Sequence, residues 1–124
     1  MNGRRMAMLT RLSMMRRDVA LQDLAQSRSE VDRISEDLLD LEVQLGDARA
    51  CNDETGTPML LQSEQFGQWV GMRRQMTLTA LSRAEGAAAQ HLADARTAVG
   101  RAEALEKLAR AMRDENRQRR AKQL

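Results

Sequence analysis

Val31-Asp32-Arg33-Ile34-Ser35-Glu36-Asp37-Leu38-Leu39-Asp40-Leu41-Glu42-Val43-Gln44-Leu45 is the stretch whose reading decides the fold. Val31, Ile34, Leu38, Leu41, Leu45 and then Ala48 recur at steps of three and four, and charges fill most of the intervals. That spacing is a heptad seam. Such a stripe is too narrow for a globular core and calls for one partner helix laid alongside. The second half of the chain has the pattern of that partner.

Composition points the same way. Of 124 residues, 31% are charged and 2% aromatic, with one Phe, one Trp and no Tyr. A compact domain of this size normally fills its centre with more large rings. Ala, Leu, Arg, Glu, Gln and Met dominate, which suits long helices. The chain is expected to be one all-α domain, two long helices forming an antiparallel coiled-coil hairpin. The first helix is expected over about residues 4–50, a turn over about 51–62 and the second helix over about 63–120.

Upstream of the seam, Met8, Leu12, Met15 and Val19 follow a 4-3-4 rhythm. The register then slips to Ala20 and Leu24, a stutter that alters supercoiling without ending the helix. Cys51-Asn52-Asp53-Glu54-Thr55-Gly56-Thr57-Pro58 is the one clear break. Thr57 suits an N-cap with Pro58 at the first helical position, and Ser63 competes for that role. In the second helix, Phe66, Trp69, Arg73 and Met76 begin a stripe. After another slip, Leu81, Ala84, Ala88, His91, Ala95, Ala98, Ala102, Leu105, Ala109 and Met112 continue it. Gly67, Gly71, Gly86 and Gly100 each cost about 1 kcal/mol against Ala. The seam is therefore rich in Leu on one side and in Ala on the other. Folding at Glu54 places residue i near residue 110 − i, so Leu12 falls near Ala98.

The net charge of +2 is unevenly spread. Residues 1–17 carry five Arg and no acid, residues 18–55 carry −8, residues 56–100 carry +1 and residues 101–124 carry +4. Folding at Glu54 brings both basic segments to one end. Cys51 is the only cysteine, so no intrachain disulfide is expected, which suits a reducing compartment. No run of about 18 apolar residues is present and no secretory signal is expected. His91, the only histidine, reads as a seam or flank residue, and Cys51 as an unreactive thiol. No phosphate loop or nucleophile–base pair is legible, and no enzyme activity, cofactor or metal is expected. Phe66 and Trp69 either close the seam near its end or anchor a partner. The arginines at both ends are a solvated face, a phosphate-binding surface or a dock for an acidic protein. No aromatic residues interleave with them, so nucleic acid is not the expected partner.

The long helix, turn and longer second helix carry Leu105-Glu106-Lys107-Leu108 ahead of a basic tail and Gln65-Phe66-Gly67-Gln68-Trp69-Val70 at the start of the second helix. The chain in this respect resembles the flagellar export protein FliJ and its injectisome counterpart YscO. The resemblance implies a non-enzymatic cytoplasmic component of a type III export machine, peripheral to its membrane-embedded part. It implies a stalk-like hairpin that engages the hexameric export ATPase and the cytoplasmic domain of the export gate, with substrate chaperones as further partners. Carried onto this sequence, the gate contact falls on Leu38, Leu41, Leu45, Phe66, Trp69, Val70, Arg73 and Met76. The ATPase contact falls on the basic ends, Arg4, Arg5, Arg11, Arg16, Arg17, Arg110, Arg113, Arg117, Arg119 and Arg120. Two other readings are a homo-oligomeric coiled-coil scaffold and a nucleic-acid-associated coiled coil.

Overall fold

The computed structural model describes residues 3–54 and 57–123, with the side chains of residues 48 and 51–63 outside the described set. Every described residue is helical. Helix α1 spans Gly3–Glu54 and helix α2 spans Thr57–Gln123. The two long helices pack against each other as an antiparallel coiled-coil hairpin, the all-α class expected. Helix α1 runs past the expected end near Ala50, and α2 starts at Thr57 rather than near Ser63, so Met59–Gln62 are helical and not loop. Proline at the start of a helix, followed by Met, Leu, Leu and Gln, favours immediate propagation. The side chains of Cys51, Thr57 and Pro58 lie outside the described residues.

The chain divides into two compact units: Met1–Ala25 with Ala89–Leu124, and Gln26–Ala88. Each helix contributes a stretch to each unit.

In α1 the buried and half-buried positions form one unbroken series, Met6, Thr10, Ser13, Arg17, Ala20, Leu24, Ser27, Val31, Ile34, Leu38, Leu41 and Leu45, with Asp23 and Ser35 half-covered at its edge. In α2 the corresponding series is Gly67, Val70, Arg74, Thr77, Leu81, Ala84, Ala88, His91, Ala95, Ala98, Ala102, Leu105, Ala109 and Met112, with Leu78, Leu92 and Val99 beside it. Both series keep steps of three and four throughout. The two expected register slips are therefore absent. Met8, Leu12, Met15 and Val19 lie outside the seam, and so do Phe66, Trp69, Arg73 and Met76.

The physical reason is continuity. Two helices that share a seam must keep facing each other, and a mean step of 3.5 residues preserves that facing. Helix α1 is anchored by Leu24, Ile34 and Leu41, all buried. Extending their period towards the N-terminus selects Thr10, Ser13 and Arg17, although larger apolar residues stand one or two positions away. The polar members are accommodated locally. The Thr10 hydroxyl donates to the Met6 carbonyl at 2.9 Å, and the Ser13 hydroxyl donates to the Thr10 carbonyl at 2.9 Å. Arg17 reaches Asp18 at 3.1 Å. Hydroxyls that bond back to their own helix leave no buried donor unsatisfied.

The seam chemistry differs between the units. In the Gln26–Ala88 unit, Val31, Ile34, Leu38 and Leu41 of α1 face a series that begins with Val70, which is 0% exposed. In the other unit, Ser13 and Ala20 belong to a seam whose opposite side is Ala95, Ala98 and Ala102. There Ser13 and Ala20 set small residues against small, while Met6, Arg17 and Leu24 keep large side chains on the α1 side, as expected. Ser13, Ala95 and Ala102 are buried although each has little side chain, so small side chains fill the seam there.

Where the seam is small, Ser13 and Arg16 line one groove with Asp94, Thr97, Ala98 and Arg101. Nearer the turn, folding at Glu54 places Glu42 opposite Gln68, and Glu42 instead pairs with Arg74 at 3.4 Å. Both side chains lean towards the N-termini of their own helices, which displaces the contact along each chain and accounts for part of the offset.

Substituting Ala95→Leu or Ala102→Leu should overpack the close seam and cost about 1–3 kcal/mol in thermal or urea unfolding. An unchanged midpoint for both would mean that these alanines are not seam residues. By contrast, Gly86 and Gly100 are exposed and helical, and a Cβ built on either meets nothing within 4 Å. Gly86→Ala and Gly100→Ala should each raise stability by about 0.5–1 kcal/mol, because they remove only the conformational freedom of the unfolded chain.

Candidate interaction surfaces

The first surface lies on the Gln26–Ala88 unit. Phe66 and Trp69 are three apart on α2, which brings them side by side on one face. Their ring centroids are 6.1 Å apart and the planes are inclined by 28°, an offset stack. Trp69 is 55% exposed, and Phe66, Met72 and Met76 are also exposed. Helix α1 therefore does not cover the stack. Directly beneath, Val70 occupies the seam and fixes the helix face that carries the rings. Trp69 and Arg73 line a shallow groove of about 300 Å³ with Asp37, Asp40 and Gln44 of α1. An aromatic and methionine patch thus borders an acidic helix face. Farther along α1, Arg33 bridges Glu30 at 2.6 Å and Asp37 at 3.3 Å. The Arg33 hydrogen bond holds the Glu30 carboxyl below the usual carboxylate range.

Of the residues assigned to a gate contact, Phe66, Trp69, Arg73 and Met76 stand exposed on this surface. Leu41 and Val70 are buried in the seam, and Leu38 and Leu45 are half-buried there. Leu41 and Val70 thus support the packing of the helices and are not available as a contact face, while Leu38 and Leu45 keep part of their surface exposed. Met72 belongs to the exposed patch, and its place beside the aromatic pair is legible in the sequence. Its position, three residues after Trp69 and four before Met76, was the available signal.

The second surface lies on the unit formed by residues 1–25 and 89–124. Arg4, Arg5, Arg11 and Arg16 are exposed on α1, and Arg110, Arg113, Arg117, Arg119 and Arg120 are exposed on α2, while Arg17 is half-buried. The fold brings members of the two groups together: Arg11 and Arg113 line one groove of about 540 Å³ with Met6, Met14, Met15 and Met112. Part of the positive charge is internally balanced, since Arg110 pairs with Glu106 and Arg119 with Glu115, each at 2.8 Å. These are exposed i, i+4 pairs that contribute a few tenths of a kcal/mol each.

His91 occupies a half-buried seam position and lines a shallow groove with Leu12, Val19 and Asp94. Among the described residues, no three His, Cys, Asp or Glu side chains come together as a metal site, and no helix is long and apolar enough to cross a membrane. No protein-family model matches the chain, and no curated protein or solved structure matches it.

The contrast between neighbours Trp69 and Val70 gives a direct check of this geometry. Trp69→Ala should shift stability by no more than about 0.5 kcal/mol, as an exposed substitution. Val70→Ala should cost about 1–3 kcal/mol through the vacated seam volume. Unfolding curves that rank the two in the opposite order would place the indole, not the valine, between the helices.

Proposed function

We propose that this chain is a non-enzymatic coiled-coil component of a type III protein export apparatus, flagellar or injectisome, which engages the export ATPase and the export gate. The observation that carries the reading is the placement of two chemically different surfaces on the two units of one hairpin. One unit gathers both arginine-rich segments. The other carries an exposed Phe66–Trp69–Met72–Met76 patch beside acidic residues of α1. Two surfaces of different chemistry fit an adaptor with two partners better than a body with one.

In this reading the basic unit contacts the ATPase. A pair of packed helices is about 20 Å across, slim enough to enter the central hole of a hexameric ring. Acidic loops around such a hole attract the basic unit and repel acidic α1 segments, so charge sets which part inserts. A stalk that touches several subunits at once promotes ring assembly, and the chemistry remains the ATPase's. The aromatic patch contacts the gate, with Trp69 as anchor, since exposed aromatic and methionine residues supply adaptable, desolvated contact area. Substrate chaperones are further partners of the same exposed faces.

The test uses charge reversal rather than truncation, because removing α2 beyond Leu105 also removes Ala109 and Met112, which line the groove with Met6. Arg117→Glu with Arg120→Glu should lower stimulation of export-ATPase hydrolysis while leaving gate binding intact. Raised salt should weaken ATPase binding more than gate binding. Trp69→Ala should do the reverse, weakening gate binding by about 2 kcal/mol with ATPase stimulation preserved. Full stimulation by the arginine variant, or equal salt sensitivity for both partners, would rule out this assignment of surfaces.

A further inference from the structure

The unbroken seam leaves an apolar stripe of α1 beside it, bordering a groove shared with His91 and Asp94 of α2. Met8, Leu12, Met15 and Val19 are between 45% and 71% exposed, and α2 covers none of them fully. Their 4-3-4 spacing is that of a second helix-packing seam, so one helix carries two. The stripe has arginines at its margins. Arg11 is three residues after Met8 and four before Met15, and Arg16 is four after Leu12 and three before Val19. Both therefore stand beside the stripe on the helix surface. Among the described residues, neither is paired with an acid.

A chemically opposite face occurs on the Gln26–Ala88 unit. Leu39 and Val43, four apart on α1, are 61% and 62% exposed. Glu36 precedes Leu39 by three residues, Asp40 follows it, and Asp47 follows Val43 by four, so acids border this apolar pair as arginines border the stripe. Residues 1–17 carry five Arg without an acid, and residues 18–55 carry −8.

We infer that the Met8–Val19 stripe of one copy packs on the Leu39–Val43 face of a second copy, with Arg11 and Arg16 set against Glu36 and Asp40. Three features select a second copy as the occupant. The two faces are complementary in charge, both stay largely exposed beside α2, and both belong to the same sequence, so the partner is always present. The spacing favours a helix over a lipid surface. A bilayer is best met by a broad apolar face with aromatic residues at its edge, and this stretch has none. Each contact involves few large side chains, at the low end of protein interfaces, so the association is reversible and concentration-dependent. The inference does not rest on the export reading, since it concerns the isolated chain.

Sedimentation of the purified full chain, followed over about a hundredfold range of concentration, tests it. The mass should rise from monomer with concentration and fall back when salt is raised. Arg11→Glu with Arg16→Glu should weaken association at least about tenfold, and Glu36→Arg with Asp40→Arg should do the same, with helicity by circular dichroism unchanged because all four positions are exposed. Mixing the two variants should restore association, because each now presents the charge that the other lacks. A chain that stays monomeric throughout, or association that neither variant alters, overturns the inference. A mixture that stays monomeric overturns it too. If a monomeric chain instead co-sediments with phosphatidylserine vesicles and Arg11→Glu with Arg16→Glu abolishes this, the stripe belongs to an anionic lipid surface and the inference fails.

Discussion

The whole structure depends on one constraint: two long helices keep one regular seam when the facing residues recur at a mean of 3.5 positions. Once Leu24, Ile34 and Leu41 are buried in α1, that period extends along the helix in both directions. It admits Thr10, Ser13 and Arg17 to the seam and excludes Met8, Leu12, Met15 and Val19. Gross hydrophobicity at single positions would favour the opposite choice. The continuity of facing outweighs it, because a slip in one helix would turn every residue beyond it away from the partner.

The small residues make that outcome tolerable. Ala95 and Ala102 are 3% exposed, so the seam is filled there by small side chains. A Met or Leu of α1 placed opposite them would hold the helices apart. Ser13 fits the narrow space, and its hydroxyl is satisfied within its own helix. The seam therefore gains from dispersion what it lacks in apolar area per residue. The cost of this arrangement is displaced to the outside, where large apolar side chains stand in water on both units.

Those displaced side chains are the material from which binding surfaces are made. The Phe66–Trp69 stack is held on the outer face of α2 by the burial of Val70 next to it, so its presentation is as rigid as the seam. The arginines are distributed differently, because α1 and α2 each supply one basic segment and the fold gathers them in one unit, where Arg11 and Arg113 share a groove. Charge and aromatic character are consequently separated on the chain. The proposed adaptor role rests on this separation.

By itself, the sequence determined the class of fold. The Val31–Leu45 heptad, the Ala-rich series from Ala84 to Ala109 and the break near Glu54 are local patterns with one economical solution, an antiparallel helical hairpin. It also determined the charge segments and singled out Phe66 and Trp69 as the aromatic pair, but left open whether they close the seam or stand exposed. Only the tertiary structure decided which of two overlapping stripes becomes the seam in residues 6–24 and 66–77. Both stripes have acceptable helical spacing, and the choice rests on facing a partner more than ten residues away in the same helix and dozens away in the chain. The structure likewise decided that Val70 is an internal support, whereas the burial of Leu41 and the exposure of Leu39 and Val43 follow the heptad already legible in the sequence. A residue's burial depends on where the second helix lies, and a one-helix pattern does not contain that information.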